Sequence, residues 1–183
     1  MSDNVKRINR ELKYSGAILD VYADTMEFSN GNTEVWDLVS HRKGAAAVVA
    51  VLPNGKLLMV RQYRNALERM TLEIPAGSRD SVTEDTAICA ARELEEETGY
   101  RAGKLELLVS LRTTVAFCDE FIDIYLATDL TKTKQALDEN EFVDIEEYTL
   151  DELLDKIFST EIQDGKTMAG ILAYNAKLKQ NKE

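Results

Sequence analysis

Residues 45–52 read AAAVVAVL, an apolar run with no polar position in it. A strand with one wet face alternates apolar and polar side chains, so an unbroken run predicts a strand covered on both faces. Such a strand suits a sheet with a layer on either side. The surrounding chain supplies the other pieces. Pro53-Asn54-Gly55 turns the run into a second strand, KLLMVRQY, at residues 56–63. Upstream, residues 16–28 alternate in part and meet a hairpin turn at Ser29-Asn30-Gly31-Asn32, with a return strand over 33–40. His41-Arg42-Lys43-Gly44 interrupts the pattern. Further strands are expected at 104–111, 121–127 and 142–148, and helices at about 84–98, 149–158 and 163–179. The second helix opens on the capping box Thr149-Leu150-Asp151-Glu152. The expected class is α+β, a mixed sheet between helical layers, with residues 1–43 as an N-terminal β-hairpin segment and 44–183 as the main domain.

The formal net charge of −11 argues against nucleic acid and anionic membrane as bulk partners, because both are polyanions. An anionic small molecule would need local arginines and bound cations. Two cysteines, Cys89 and Cys118, suit a reducing compartment better than a disulfide framework. With no signal-peptide pattern and no apolar run of spanning length, cytoplasm is the expected location.

The chemistry concentrates in GSRDSVTEDTAICAARELEEETGY, residues 77–100. On a helix, Glu93 and Glu97 stack one turn apart with Glu96 beside them, and like charges so placed repel. One reading is a solvated acidic face. The other is a seat for a hard divalent cation, which prefers oxygen ligands. In this reading Ala87, Ala90, Ala91, Leu94 and Thr98 form the inward face of the helix.

This segment resembles the Nudix box, G-x5-E-x7-R-E-U-x-E-E-x-G-U with U bulky and apolar. The match is complete from Glu84 through Arg92-Glu93-Leu94, Glu96-Glu97, Gly99 and Tyr100, with one extra residue between Gly77 and Glu84. The resemblance implies an alpha/beta/alpha sandwich and hydrolysis of nucleoside diphosphates linked to another group. It implies Mg²⁺, with Mn²⁺ as a possible substitute, held by Glu93, Glu96, Glu97 and the Ala76 carbonyl. Arg92 would orient a neighbouring glutamate and pair with Glu84.

Outside the box, Val60-Arg61-Gln62-Tyr63-Arg64 and Glu73-Ile74-Pro75-Ala76-Gly77 resemble segments of the ADP-ribose pyrophosphatase branch. The likeness implies a nucleoside diphosphate sugar as substrate, with AMP and ribose 5-phosphate as products of ADP-ribose. It also implies a homodimer that exchanges its N-terminal hairpins. Arg64 and Glu73 then become substrate-side residues, though Arg64 has Glu68 as an alternative ion-pair partner. Trp36 matches an adenine-stacking position, with a core or dimer role equally open. His41 is read as structural or at the substrate edge. Phe117 survives in the loop where the branch carries S-P-G-F, but Val115 and Ala116 stand for Pro-Gly. A catalytic base is expected on the acidic loop at Glu141 or Glu139, where a solvated charge run is the competing reading. The alternatives for the whole chain are a Nudix hydrolase of another diphosphate and a non-catalytic nucleotide-binding module.

Overall fold

The computed structural model describes residues 4–180. They fall into two compact units, one reaching to Gly44 and including Arg112–Phe121, the other comprising Ala45–Leu111 and the chain from Ile122 onward.

The first unit is a three-stranded antiparallel sheet of β1 (Val5–Ser15), β2 (Leu19–Phe28) and β3 (Thr33–His41) in that order. The β2–β3 turn falls where the sequence places it. Gly31 takes φ 84°, which a side chain resists, and donates to the Phe28 carbonyl at 2.9 Å. β1 was not expected as a strand. It is exposed along its length, and register shifts at Arg7/Asn9 and Leu12/Tyr14 break the two-residue period. Buried Asp24 on β2 fastens it, accepting from Arg10 Nε and Nη2, each at 2.6 Å. Segment 112–121 docks on β3 through two backbone bonds, Val39 N–H to the Phe117 carbonyl at 2.7 Å and Asp119 N–H to the Val39 carbonyl at 3.2 Å.

The second unit is built on a mixed seven-stranded sheet. β4 (Ala45–Val51) lies between antiparallel β5 (Leu57–Arg64) and parallel β10 (Phe121–Thr128). β5 also pairs with β6 (Arg69–Glu73) and β12 (Val143–Tyr148), and β4 with the short β7 (Ala76–Ser78); β9 (Lys104–Arg112) borders β10. A two-stranded patch joins β8 (Tyr100–Arg101) to β11 (Thr131–Lys132).

The apolar run behaves as its composition demands. Ala45, Ala47 and Val49 enter a core with Leu153 and Ile157 of α2 (Leu150–Phe158) and Ile171 of α3 (Gly165–Gln180). Ala46, Val48 and Ala50 enter a second core with Cys89, Ala90 and Leu94 of α1 (Thr86–Thr98). Alternate residues of one strand therefore serve two helical layers, the expected α/β/α arrangement. α1 starts at Thr86 rather than Glu84 because Asp85 is its N-cap, with the side chain accepting the Ala87 N–H at 2.7 Å. No helix is long and apolar enough to cross a membrane among the described residues.

Candidate active site

β7 and α1 are laced together, and this lacing builds the site. Residues 89, 93 and 97 lie one turn apart and form a stripe. At one end, Glu97 Oε2 accepts the Ala76 N–H at 3.0 Å. In the middle, the Glu93 carboxylate lies where a Cβ on Gly77 would stand, 2.1 Å from Glu93 Cδ. At the other end, Cys89 Sγ donates to the Gly77 carbonyl at 3.6 Å and Arg92 Nη2 donates to the Ser78 carbonyl at 3.1 Å. The buried face of α1 is thus Cys89, Ala90, Leu94, Glu97 and Thr98. Ala91, expected inside, is exposed, and Glu97, expected at the flank, is 2% exposed. The close approach of β7 rotates the helix this way.

Arg92 organises the other carboxylates. Its Nη1 donates to Glu93 Oε1 at 2.7 Å and Glu96 Oε2 at 3.0 Å, while Nε reaches Glu84 Oε1 at 3.4 Å. The extra residue before Glu84 is taken up in a loop closed by Asp80 N–H to Glu84 Oε2 at 2.6 Å. Glu84 keeps its reach to Arg92 despite the longer loop.

The electrostatics are unbalanced where a cation is expected. Burial pushes Glu97 up to about 8; the Ala76 N–H pulls the other way, and the charges of Glu93 and Glu141 add to the rise. Glu93 is also raised, first by burial, with Arg92 opposing and Glu96 and Glu141 reinforcing. Among the described residues, no three carboxylate, imidazole or thiol groups already converge on one ion-sized position. A guanidinium edge stands between Glu93 and Glu96 instead. The donor set is nonetheless the one a hard cation takes: oxygens only, on carboxyls whose charged forms burial penalises and a bound cation would favour.

Glu93, Glu96 and Arg92 line a cleft of about 350 Å³ together with Gln62, Arg64, Ala76 and Glu141. Glu141 sits in a turn, its N–H donating to the Asp138 carbonyl at 3.0 Å. Glu139 is exposed and does not line the cleft. The loop is tethered at its root. Ala136 N–H donates to the Glu96 carbonyl at 2.9 Å, and Gln135 Nε2 bridges the Glu97 carbonyl at 2.7 Å and the Val143 carbonyl at 3.3 Å. Gly99 permits this: it takes φ 67°, and a Cβ there would fall 2.7 Å from the Gln135 nitrogen.

Arg64 does not pair with Glu68. Its Nε and Nη2 donate to Glu73 Oε1 and Oε2 at 2.7 and 2.6 Å. Glu73 is 2% exposed, so the carboxylate expected beside the substrate holds Arg64 and is sealed from the cleft. Burial alone would raise Glu73, but Arg64, Lys166 and Thr71 outweigh it and hold the carboxyl at about 2. Lys166 and Gln135 were not expected at the site, because the partners that matter there, Glu73 and the Glu97 carbonyl, lie far away in the chain.

The aromatic candidates belong to the first unit. Trp36 is partly exposed on β3, with Nε1 donating to Glu34 at 3.2 Å and its ring edge-on to Phe28 at 6.0 Å. Phe117 is also exposed, in the segment docked on that strand. His41 Nδ1 accepts the Gly44 N–H at 3.2 Å and stands 3.9 Å from Glu120, a structural setting at a strand end. Cys89 and Cys118 are both free thiols, and burial pushes Cys89 up to about 12.

The chain also resembles known proteins over most of its length. Residues 41–169 match the NUDIX domain family. The chain is 44% identical to a methanol dehydrogenase activator of Bacillus methanolicus and 42% identical to an ADP-ribose pyrophosphatase of Bacillus subtilis strain 168. Each alignment covers 91% of this chain and 90% of the relative. The crystal structure of an ADP compounds hydrolase shares the fold at TM-score 0.88 and 23% identity, over 98% of this chain and 96% of that one. A box whose every acidic position is seated around one strand and one arginine, on a chain matched over this length, belongs to the Nudix hydrolase family, in its ADP-ribose pyrophosphatase-like branch.

Proposed function

We propose that this protein hydrolyses the pyrophosphate bond of ADP-ribose and related nucleoside diphosphate sugars, giving AMP and a sugar phosphate, with Mg²⁺ as cofactor and Mn²⁺ as a substitute. One observation carries the reading: Glu93, Glu96 and Glu141 line one cleft with Arg64, next to a buried Glu97 that has no cation bonded to it. Glu93, Glu96, Glu97 and the Ala76 carbonyl would hold the ion. When bound, it neutralises charge on the pyrophosphate and acidifies water.

The chain's own groups supply the rest. Arg64 keeps Nη1 for a phosphate oxygen while Glu73 fixes the rest of its fork. Arg92 orients Glu93 and Glu96. Glu141, with Glu139 as the second candidate, takes the proton of the attacking water as its oxygen bonds to phosphorus and the bridging P–O bond breaks. Trp36 offers a ring for adenine. Phe117 lies in a loop whose Val115-Ala116 gives the terminal sugar a less defined wall than Pro-Gly, so ADP-glucose and ADP-mannose should also be accepted.

The working form is a homodimer that exchanges the N-terminal strands, which would cover the exposed apolar side chains Val5, Ile8 and Leu12 of β1. Two free cysteines and an acidic surface suit the cytoplasm. A substrate panel with chromatographic product detection, in Mg²⁺ and in Mn²⁺, tests the activity. ADP-ribose should exceed nucleoside triphosphates in kcat/KM, and faster cleavage of a triphosphate than of every ADP-sugar overturns the reading. Light scattering of the full chain tests the dimer; an active monomer removes it.

A further inference from the structure

The first turn of α3 grips the back of Arg64, through groups outside the Nudix box. Glu73, at the end of β6, accepts from Arg64 on one side, from Thr71 Oγ1 at 2.6 Å, and from Lys166 Nζ on the other. Lys166 is itself nearly buried and also donates to Asp164 Oδ2 at 2.9 Å. Asp164 precedes α3 and accepts the Thr167 N–H at 3.0 Å and the Thr167 hydroxyl at 2.6 Å, as an N-cap does. The Thr167 Oγ1 in turn accepts the Ile74 N–H at 3.0 Å.

Two cations and two anions thus alternate along a chain that starts at the cleft wall, passes through buried Glu73 and ends at partly exposed Asp164: Arg64, Glu73, Lys166, Asp164. Only Arg64 of these lines the cleft. The sum of the four is zero, so losing Lys166 leaves a net negative cluster beside a cleft that must admit an anion. Glu73 would then have Arg64 as its one cationic partner, beside the neutral Thr71 hydroxyl. We propose that Lys166 is a positioning residue for pyrophosphate recognition: by sharing Glu73 it leaves Arg64 electrostatically available to the substrate. Asp164 sets the strength of this effect from the far side. This inference rests on the diphosphate-hydrolase reading of the cleft.

The test measures calorimetric binding of a non-hydrolysable methylene analogue of ADP-ribose, alongside KM and kcat for ADP-ribose. Lys166→Met should raise the analogue Kd and KM about three- to tenfold, the size of one unit charge acting across roughly 10 Å in a partly screened site. Its kcat should change much less, and Lys166→Arg should restore Kd. Asp164→Asn keeps a good N-cap but removes the compensating charge, so Kd should fall. Opposite shifts from neighbouring residues are not what a purely structural pair produces. Unchanged Kd in both Lys166→Met and Asp164→Asn overturns the proposal, as does a rise in both. Should Lys166→Met not fold, the direction of the Asp164→Asn shift decides alone. A wild-type chain that neither binds the analogue nor cleaves ADP-ribose refutes the underlying functional reading instead.

Discussion

Gly77→Ala separates the fold of this protein from its chemistry. A Cβ built on Gly77 stands 2.1 Å from Glu93 Cδ and 2.2 and 2.3 Å from its carboxylate oxygens. Non-bonded carbons keep about 3.5 Å, so the carboxylate must move by more than about 1 Å. It can do so, because it is the end of a flexible side chain. The displacement sacrifices the 2.7 Å bond to Arg92, which keeps Glu84 and Glu96 as partners, a loss of about 1.5 kcal/mol. Gly77 is not in the left-handed region, so alanine fits the backbone and recovers about 0.4–1 kcal/mol through the unfolded chain. The two effects partly cancel, and Tm should shift by no more than about 4 °C. Activity responds differently, since a 1 Å misplacement of a reacting group costs about 10²-fold, or about 2.7 kcal/mol in the barrier. We therefore expect kcat/KM for ADP-ribose to drop at least about 10²-fold in a protein that melts normally. Turnover within threefold of wild type would show that Glu93 does not work from its place against Gly77. A Tm loss above about 10 °C would show instead that Gly77 serves the fold.

The remaining expectations concern charge and the acidic loop. Because Glu97 is raised to about 8 in the folded chain, its stability contribution is fully present below the ordinary carboxylate pKa and is lost as pH rises through about 8. Without divalent cation, Tm should therefore decline across roughly pH 5 to 8, and added Mg²⁺ should raise Tm more at pH 8.5 than at pH 6; a metal-induced shift independent of pH contradicts this. Glu141→Gln should lose about 10²–10⁴-fold in kcat with analogue affinity retained, whereas Glu139→Gln should keep most activity; the reverse order moves the base to Glu139. Gln135→Leu removes the bridge between the Glu97 and Val143 carbonyls and should reduce kcat about tenfold while KM holds, read by steady-state kinetics. An unchanged kcat would mean that the Ala136 bond to Glu96 suffices to place the loop.

What the sequence made legible is what local pattern encodes. The run at 45–52 announced a doubly covered strand, and two helical layers cover it. The box helix was visible from its spacing and its glycine. β1 was not, because two register shifts erase its period and no face of it is buried in one chain. The short β6 and β7 are separated only by Ile74-Pro75, too little for a periodic signal. Spacing alone placed Ala91 inside and Glu97 at the flank, since a helical wheel cannot know that β7 will press on the 89–93–97 stripe. The Glu73–Lys166 pair lies beyond any sequence window, its partners 93 positions apart.

Two of those differences fall on carboxyls that the fold treats in opposite ways. Glu73 and Glu97 are equally buried, and burial pushes both carboxyls up. Glu73 is answered by an arginine, a lysine and a hydroxyl, and it ends at about 2. Glu97 is answered by one backbone N–H and only weakly by the charge of Lys166, it faces two further carboxylates, and it ends at about 8. A chain under selection for stability alone would resolve the second case as it resolved the first, since an uncompensated buried charge costs several kcal/mol. Burial therefore does not distinguish a structural carboxylate from a ligand; the completeness of its partners does. Glu97 keeps a strongly raised carboxyl with no cation hydrogen-bonded to it among the described residues, and a perturbed buried group beside a cleft is a candidate functional position rather than a packing one.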